Sequence, residues 1–229
     1  MVTRRVLLFD IDMTMIRTVG AGRSAMEAAF QREFRIERAT EGMLFDGRTD
    51  RGIFIECLER HGLANGALDT NLSRLVEGYL EHLPASLRAK GGLVLPGVAN
   101  LLAALSNTDA AIGLATGNLR RGAAHKLEHF GMWKSFAGGG FGDDHVIRGD
   151  LVRAGIAEMA ALSGCEPGDC DVIVLGNTPL DVEAAHLAGA RALGVGTGRF
   201  TPEQLLDSGA EFALPDLSET ELVLDMLLG

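Results

Sequence analysis

Two carboxylates, Asp10 and Asp12, stand two residues apart directly after a short apolar run at residues 6–9. If that run is a strand, their side chains lean to the same side of the backbone. Carboxylates this close repel one another unless a cation or a shared proton intervenes, and magnesium prefers such hard oxygen ligands. With a metal balancing the charges, Asp10 is placed to attack phosphorus and form an aspartyl-phosphate, and Asp12 to protonate the leaving oxygen and activate water. The same residues also fit an ordinary turn in which Asp12 caps the next segment.

Two further polar clusters follow apolar runs. Thr116-Gly117-Asn118 comes after residues 111–115 and before a helical stretch, and residues 176–181 follow another run. A hydroxyl and free N–H groups at a helix start form an anion site, although Thr116 or Asn118 could equally serve as a helix cap. In an open α/β sheet, ligands bind beyond the carboxyl ends of the strands. The three clusters are therefore expected to meet at one edge of a sheet.

Short apolar runs alternate with amphipathic stretches, which predicts a parallel sheet covered on both faces by helices. The predicted strands are Val6–Phe9, Ala111–Ala115, Val172–Leu175, Ala192–Val195 and, more weakly, Phe212–Leu214. One predicted helix begins after Pro96-Gly97, and the others cover about 120–130, 152–162 and 180–188. The three glycines at 138–140 are interpreted as loop.

The stretch between the first two strands is too long for one crossover and carries only helical periodicity, at about 25–34, 52–61 and 72–83. The fold class is therefore α/β, a Rossmann-like parallel sheet core with an inserted α-helical cap domain. We assign residues 1–16 and 93–229 to the core and residues 17–92 to the cap.

Composition narrows the range of partners. The 229 residues are 47% hydrophobic and carry a net charge of −10, without a long run of Lys or Arg. This argues against an extended nucleic-acid footprint, and the apolar runs are too short to span a membrane. The N-terminus lacks the features of a signal peptide, and three cysteines without CxxC spacing are typical of reduced thiols. We expect a cytoplasmic protein.

Three motifs carry a resemblance to a known family: LLFDIDMT at 7–14, LATGN at 114–118 and VLGNTPLDVEAA at 174–185. The chain resembles the haloacid dehalogenase superfamily over essentially its whole length, in the phosphoglycolate-phosphatase-like branch with a helical cap. The resemblance implies a magnesium-dependent enzyme. It is specific to the superfamily and much less specific about the substrate.

The resemblance implies a role for each matching position. Asp10 matches the nucleophile and a metal ligand, and Asp12 matches the general acid/base whose backbone carbonyl binds the metal. Thr116 matches the phosphate-binding hydroxyl, with Gly117 and Asn118 beside it in the substrate-binding loop. The family also has a Lys or Arg that bridges phosphate and nucleophile.

Counting back from the predicted helix at 152–162 puts that bridging cation at Arg148, with Arg153 as the alternative. A guanidinium suits the position because it holds phosphate oxygens bidentately. In the cap, Arg48 lies in a segment that resembling enzymes place over the site, so it is predicted to contact an anionic substrate tail. The alternative for this segment is that Thr49 or Asp50 caps the next helix.

Two positions depart from the family pattern. Met13 stands where a glycine is usual, and Asn177 stands where the metal-binding Asp is usual. An amide oxygen still ligates magnesium but brings no charge, and Asp181 remains nearby to take over as a ligand.

These observations predict hydrolysis of a small phosphorylated metabolite through an aspartyl-phosphate, by a monomer or homodimer. A phosphomutase on the same scaffold is an alternative, because it would keep the cap and Asp12 and shield the intermediate from water. A binding or regulatory homologue with weakened catalysis is another, supported by Asn177. A dehalogenase is disfavoured, because it needs neither a metal nor an acid at position 12.

Overall fold

The computed structural model describes residues 4–143 and 145–229. The chain begins with strand β1 (Arg4–Phe9) and the short β2 (Ile16–Arg17), followed by helices α1 (Ala21–Phe34), α2 (Asp50–Arg60) and α3 (Leu68–Lys90). Next come β3 (Leu93–Val94), α4 (Val98–Leu105), β4 (Ala111–Ala115), α5 (Arg120–His129), β5 (Gly139–Gly140) and α6 (Arg148–Ser163). The last elements are β6 (Cys170–Gly176), α7 (Pro179–Leu187), β7 (Arg191–Val195), α8 (Pro202–Asp207), β8 (Phe212–Leu214) and α9 (Thr220–Leu228).

Six strands form one parallel sheet in the order β5-β4-β1-β6-β7-β8. Alternate residues of β1 enter separate hydrophobic clusters: Leu7 and Phe9 pack with α4, α5 and α9, whereas Val6 and Leu8 pack with α6 and α7. A strand buried on both faces explains the unbroken apolar run at 6–9. The predicted α/β fold class with a Rossmann-like parallel sheet is confirmed.

Helices α1, α2 and α3 lie between the two crossings from the sheet domain and share a hydrophobic cluster of their own. The crossings themselves pair as a small antiparallel ribbon, with Ile16 opposite Val94 and Arg17 opposite Leu93. The predicted last helix of this region, 72–83, is too short, because α3 continues through Pro84 to Lys90. A proline removes only one helical hydrogen bond, and burial of Leu83 and Leu87 stabilises the turns on either side.

The interpretation of residues 138–140 as plain loop is wrong, because Gly139–Gly140 forms the edge strand β5 beside Leu114 and Ala115. A Cβ on Gly140 would lie 1.7 Å from the carbonyl oxygen of Leu151 on α6. Glycine thus lets the helix approach the strand, and this same lack of side chains removes the apolar signal of a strand. Among the described residues, no helix is both long enough and apolar enough to cross a membrane.

Candidate active site

Asp10 follows the last residue of β1, near the middle of the sheet. Its N–H extends the strand pairing by donating to the carbonyl of Leu175 (2.9 Å), and the residue is only 6% exposed. One carboxylate oxygen, Oδ1, lies 3.1 Å from Nη2 of Arg148. The buried hydroxyl of Thr14 lies 3.4 Å from the other oxygen. The strand end therefore holds a buried carboxylate against a single guanidinium.

Burial raises the pKa of Asp10 to about 7; Arg148 opposes this shift, and the carboxylates of Asp181 and Asp12 add to it. The two neighbouring carboxylates raise the pKa of Arg148 against the effect of its own burial. Arg148 is the first residue of α6, which begins four residues earlier than the sequence pattern predicted. Arg153 instead faces outward, where it bonds to Asp150 and to the carbonyl of Leu187. Of the two candidate cations, the structure brings Arg148 to Asp10.

Asp181 is fully engaged by protein donors. Its Oδ2 accepts from the N–H groups of Asn177 and Thr178 and from the Thr178 hydroxyl, at 3.1, 2.9 and 2.9 Å. Its Oδ1 accepts from Arg148. Asp181 and Thr178 together form the capping box that starts α7. Both oxygens of Asp181 therefore hold the loop and Arg148, and its role as a metal ligand stays a prediction.

Asn177 lies next to the Thr14 hydroxyl, which also neighbours Asp10. Its Oδ1 lies 3.2 Å from the Thr14 hydroxyl, which has one proton to share between Asn177 and Asp10. The amide nitrogen packs against Gly198, where an added Cβ would lie 2.2 Å away. An amide oxygen, the Asp10 carboxylate and a main-chain carbonyl such as that of Asp12 are ligand types that magnesium prefers. The described residues contain no group of three or more His, Cys, Asp or Glu arranged to hold a metal, so an amide and a main-chain oxygen would have to contribute.

Asp12 is held by donors from β4's end and from α5. Its Oδ2 lies 2.5 Å from Nζ of Lys126 and accepts from Nδ2 of Asn118 at 2.9 Å. Lys126 also donates to Oδ1 of Asn118 at 2.5 Å and is only 5% exposed. The hydroxyl of Thr116 accepts from Nδ2 of Asn118 at 2.8 Å. In this conformation the Thr116 hydroxyl is buried, and neither Thr116 nor Asn118 forms part of the cavity wall described below.

The charges at this edge of the sheet do not balance. The charged groups that act on Asp10 and Lys126, together with these two, are Asp10, Asp12, Asp50, Asp181, Lys126 and Arg148. Four carboxylates against two cations leave two negative charges when all are ionised. Burial, as the largest cause, also raises the pKa of Asp50 to about 6. A divalent cation would remove the excess, so the residues present fit magnesium.

The start of α2 docks the cap onto the loop that follows β4. The N–H of Asp50 donates to the carbonyl of Gly117 (2.7 Å), and Oδ2 of Asp50 accepts from the N–H of Leu119 (3.0 Å). A Cβ on Gly117 would lie 2.2 Å from the carbonyl oxygen of Arg48, so only glycine allows this approach. Thr49 caps α2 by accepting from the N–H of Gly52. Thr49 is therefore the N-cap residue of α2, which was one of the two predictions for this segment. The same segment also contacts the core closely.

A cavity of about 450 Å³ lies between the cap and the sheet. Asp10, Asp12, Lys126, Arg148 and Asn177 line its floor, together with cap residues that include Met26, Phe45, Ile53, Phe54 and Tyr79. Arg48, which was predicted to contact an anionic substrate tail, pairs with Glu56 (2.5 Å) in this structure and does not line the cavity. Arg17 and Arg23 do line it, and Arg23 donates to the carbonyls of Thr40 and Met43 and stacks on Phe45.

Met13 keeps the turn after Asp10 without the usual glycine. Its φ is 62°, in the left-handed region, and its N–H donates to the carbonyl of Ile16 (2.8 Å). The hydroxyl of Thr197 donates to the Met13 carbonyl at 2.5 Å. The surrounding contacts therefore impose a conformation that costs a non-glycine residue about 1–2 kcal/mol.

Comparison with known proteins agrees with this geometry. The family profile of the haloacid dehalogenase-like hydrolases matches residues 7–186, and the chain belongs to that family. It is an enzyme of the hydrolase class. A probable phosphatase, IndB, from Dickeya dadantii (strain 3937) is 25% identical over 225 residues, which cover 93% of this chain and 90% of that protein.

Two solved structures show the same fold. A hydrolase from Pseudomonas syringae superposes with a TM-score of 0.70 at 20% identity, covering 99% of this chain and 100% of that one. A putative beta-phosphoglucomutase from Thermotoga maritima gives a TM-score of 0.62 at 20% identity, covering 98% and 100%. These structural likenesses extend over the cap as well as the sheet.

Sequence reasoning missed Lys126. The motifs did not include it, and in the structure Lys126 lies on the buried side of α5 with Ala123 and Leu127. The spacing along the helix indicates this burial, because Lys126 comes three residues after Ala123 and directly before Leu127. Thr14 belongs to the first motif, but the sequence analysis gave it no role. Its position between Asp10 and Asn177 is evident only in the folded structure.

Proposed function

We propose that this enzyme hydrolyses a small phosphate monoester through an aspartyl-phosphate at Asp10, with magnesium as the cofactor. The observation that carries the proposal is the buried Asp10 carboxylate, 3.1 Å from Arg148, with Asp12 two residues further along the chain. The relation to a probable phosphatase supports the same reaction class.

In this proposal Asp10 attacks phosphorus while the ester oxygen leaves, so the P–O bond of the ester breaks as the aspartyl P–O bond forms. Asp12 gives a proton to the leaving oxygen and then takes one from the water that hydrolyses the aspartyl-phosphate. Arg148 orients Asp10 and balances charge as the phosphoryl group arrives, and Asp181 keeps Arg148 in place.

Magnesium would be held by Asp10, by the carbonyl of Asp12 and by Asn177. When bound, it would supply the positive charge that lets an anionic carboxylate approach an anionic phosphate. Thr116 belongs to the proposed phosphate-binding loop: its oxygen accepts from Asn118, which leaves its O–H proton to donate to a phosphate oxygen.

The test is a screen of phosphate monoesters with and without magnesium, for the wild-type enzyme and for Asp10→Asn. We expect release of inorganic phosphate that needs both magnesium and Asp10, and a phosphoryl group on Asp10 in acid-quenched samples analysed by mass spectrometry. Transfer of the phosphoryl group to a second substrate position without release of phosphate would indicate a phosphomutase instead. Phosphate release by Asp10→Asn at the wild-type rate would contradict the mechanism.

A further inference from the structure

Two of the three cysteines meet at the opposite end of the strands from Asp10. Sγ of Cys165 and Sγ of Cys170 lie 3.6 Å apart, and both residues are half-buried. A disulfide bond holds two sulfur atoms at about 2.05 Å, so these two need to approach by only about 1.5 Å. A movement of that size is within the range of side-chain rotation, since each cysteine turns between staggered rotamers. The folded loop therefore supplies a proximity that the spacing of the cysteines in the sequence does not indicate.

The backbone on both sides of the pair is fixed by hydrogen bonds. Cys165 follows α6, and its N–H donates to the carbonyl of Ala160 in the last turns of that helix (3.0 Å). Cys170 is the first residue of β6 and pairs in register with Arg4 of β1. A single 3₁₀ turn, Pro167–Asp169, connects the two positions. Because both thiols are held next to each other, a bond within the molecule is favoured over one between molecules.

The two thiols have few competing interactions, whereas the third cysteine is protected. Cys165 and Cys170 each have one further contact, a main-chain carbonyl oxygen at 3.6 Å, and a thiol is a weak donor. Cys57 is fully buried in the cap, and this burial raises its pKa to about 12. A reagent that acts on thiolates therefore reaches the pair and leaves Cys57 unmodified.

The surroundings of Cys170 disfavour a charged sulfur but not a disulfide. Burial raises the pKa of Cys170 to about 11, the hydrogen bond with Cys165 adds to the shift, and the charge of Arg4 opposes it. Thiolate is consequently scarce at neutral pH, and the pair reacts slowly there. A disulfide carries no charge, so the burial that disfavours the thiolate imposes no such penalty on the oxidised form.

We propose that Cys165 and Cys170 are a modification site, at which a low-molecular-weight disulfide such as oxidised glutathione forms an intramolecular disulfide that ties α6 to β6 and stabilises the fold. One cysteine thiolate attacks a sulfur atom of the reagent, which gives a mixed disulfide and releases one thiol. The sulfur of the second cysteine then attacks the first cysteine's sulfur and displaces the second thiol. The cysteines lose two electrons and two protons, and the reagent gains both and leaves as two thiols.

The bridge joins two elements whose other ends contribute to the active site. α6 begins at Arg148 and its 16 residues span about 24 Å, and β6 ends directly before Asn177. The bridge closes a loop of six residues, 165–170, which restricts the unfolded chain. For a chain of this length we expect Tm to rise by about 4–8 °C. The proposal does not depend on the phosphatase function.

The test exposes the full chain to oxidised glutathione at about pH 8.5, where more thiolate is present, and then alkylates the remaining thiols. No Lys or Arg lies between Arg153 and Arg191, so both cysteines fall on one tryptic peptide. We expect mass spectrometry to show that this peptide has lost two hydrogen atoms and has escaped alkylation. A doubly alkylated peptide, a glutathione adduct that persists on it, or disulfide-linked dimers would each overturn the proposal.

Thermal unfolding of variants locates the effect. Wild-type Tm should rise after oxidation and return after treatment with dithiothreitol. Cys165→Ser and Cys170→Ser each lack one sulfur atom of the bridge, so the Tm of neither should rise. Cys57→Ala is the matched control and should keep the full response. A rise that persists in either serine variant, a response lost in Cys57→Ala, or a bridge that leaves the wild-type Tm unchanged would contradict the proposal.

Discussion

Arg148 lies between two carboxylates, that of Asp10 directly after β1 and that of Asp181 in the first turn of α7. Its Nη2 is 3.1 Å from Oδ1 of Asp10 and also bonds to Oδ1 of Asp181, and the guanidinium side chain is only 10% exposed. Asp181 also accepts three hydrogen bonds from its own loop, so the arginine connects the end of β1 to the start of α7. Removing it would leave two buried carboxylates without a counter-charge.

We therefore predict that Arg148→Met lowers the free energy of unfolding by about 3–5 kcal/mol, the usual cost of breaking a buried ion pair. The loss should be smaller near pH 5, where Asp10, whose pKa is about 7, escapes the penalty by protonation. Denaturant unfolding near pH 5 and at a pH above the pKa of Asp10 measures the two losses in the free energy of unfolding. Arg148→Lys keeps the charge and should be less destabilised, and equal losses in both variants at every pH would contradict the electrostatic explanation.

Asp10→Asn is predicted to abolish turnover while leaving the fold intact, because an amide is too poor a nucleophile to replace the carboxylate. Its stability should depend on pH in a defined direction. The folded-state pKa of Asp10 is raised, so the protonated form stabilises the wild-type fold at low pH and this contribution is lost as pH rises through about 7. In the absence of magnesium, the Asn variant should therefore equal or exceed wild type in stability near pH 8.

Thermal unfolding across the pH range, together with turnover assays, checks both parts of that prediction. The control is wild type with saturating magnesium, in which the cation takes over part of the charge balance. A variant that is inactive and also much less stable than wild type near pH 8 would show that Asp10 mainly supports the fold.

Asn177→Asp is predicted to lower the magnesium concentration needed for half-maximal rate, because a carboxylate holds the cation more strongly than an amide. The amide oxygen accepts from the Thr14 hydroxyl, and a carboxylate oxygen at this position can accept in the same way. The rate at saturating magnesium has no fixed sign, since an added anion near Asp10 also repels phosphate. Titration of magnesium against turnover in both proteins decides the matter, and equal requirements would mean that position 177 is not a ligand.

Met13→Gly should stabilise the protein by about 1 kcal/mol, because glycine adopts the φ of 62° without the steric cost, partly offset by greater chain entropy when unfolded. Met13→Ala is the matched control: it also shortens the side chain but keeps the unfavourable φ, so it should not be stabilised. Denaturant unfolding of the three proteins measures the difference. Equal stability of the Gly and Ala variants would show that backbone strain at this position is negligible.

The sheet was predictable because its strands are apolar runs followed by polar residues, as at residues 6–12 and 172–181. The edge strand at Gly139 and Gly140 was not, because a strand that approaches a helix through glycines has no side chains to reveal it. The start of α6 was predicted four residues too late for a similar reason. Arg148 is polar and does not continue the apolar pattern, yet it is the first residue of α6 and pairs with Asp10.

Within the site, motif positions could be placed but their partners could not. The ion pair between Lys126 and Asp12 joins residues that are 114 positions apart in the sequence, so no local sequence pattern indicates it. Asp181 was recognised as part of the site, whereas saturation of both its oxygens follows from the turn at Asn177 and Thr178, which only the folded loop reveals. Sequence reasoning thus identified groups by type, and the structure assigned their contacts.

The strand order has a consequence for how the chain folds. β1 lies between β4 and β6, so Val6 pairs with Ala111 on one side and with Val172 on the other. Such non-local pairings form slowly, whereas helices α1 and α3 make extensive contacts within the inserted region alone. During synthesis, which proceeds from the N-terminus, the strand that carries Asp10 stays without a neighbour on one side until the ribosome has passed Gly176. Chains that stall before that point would expose the apolar edge of β1, the strand directly before Asp10.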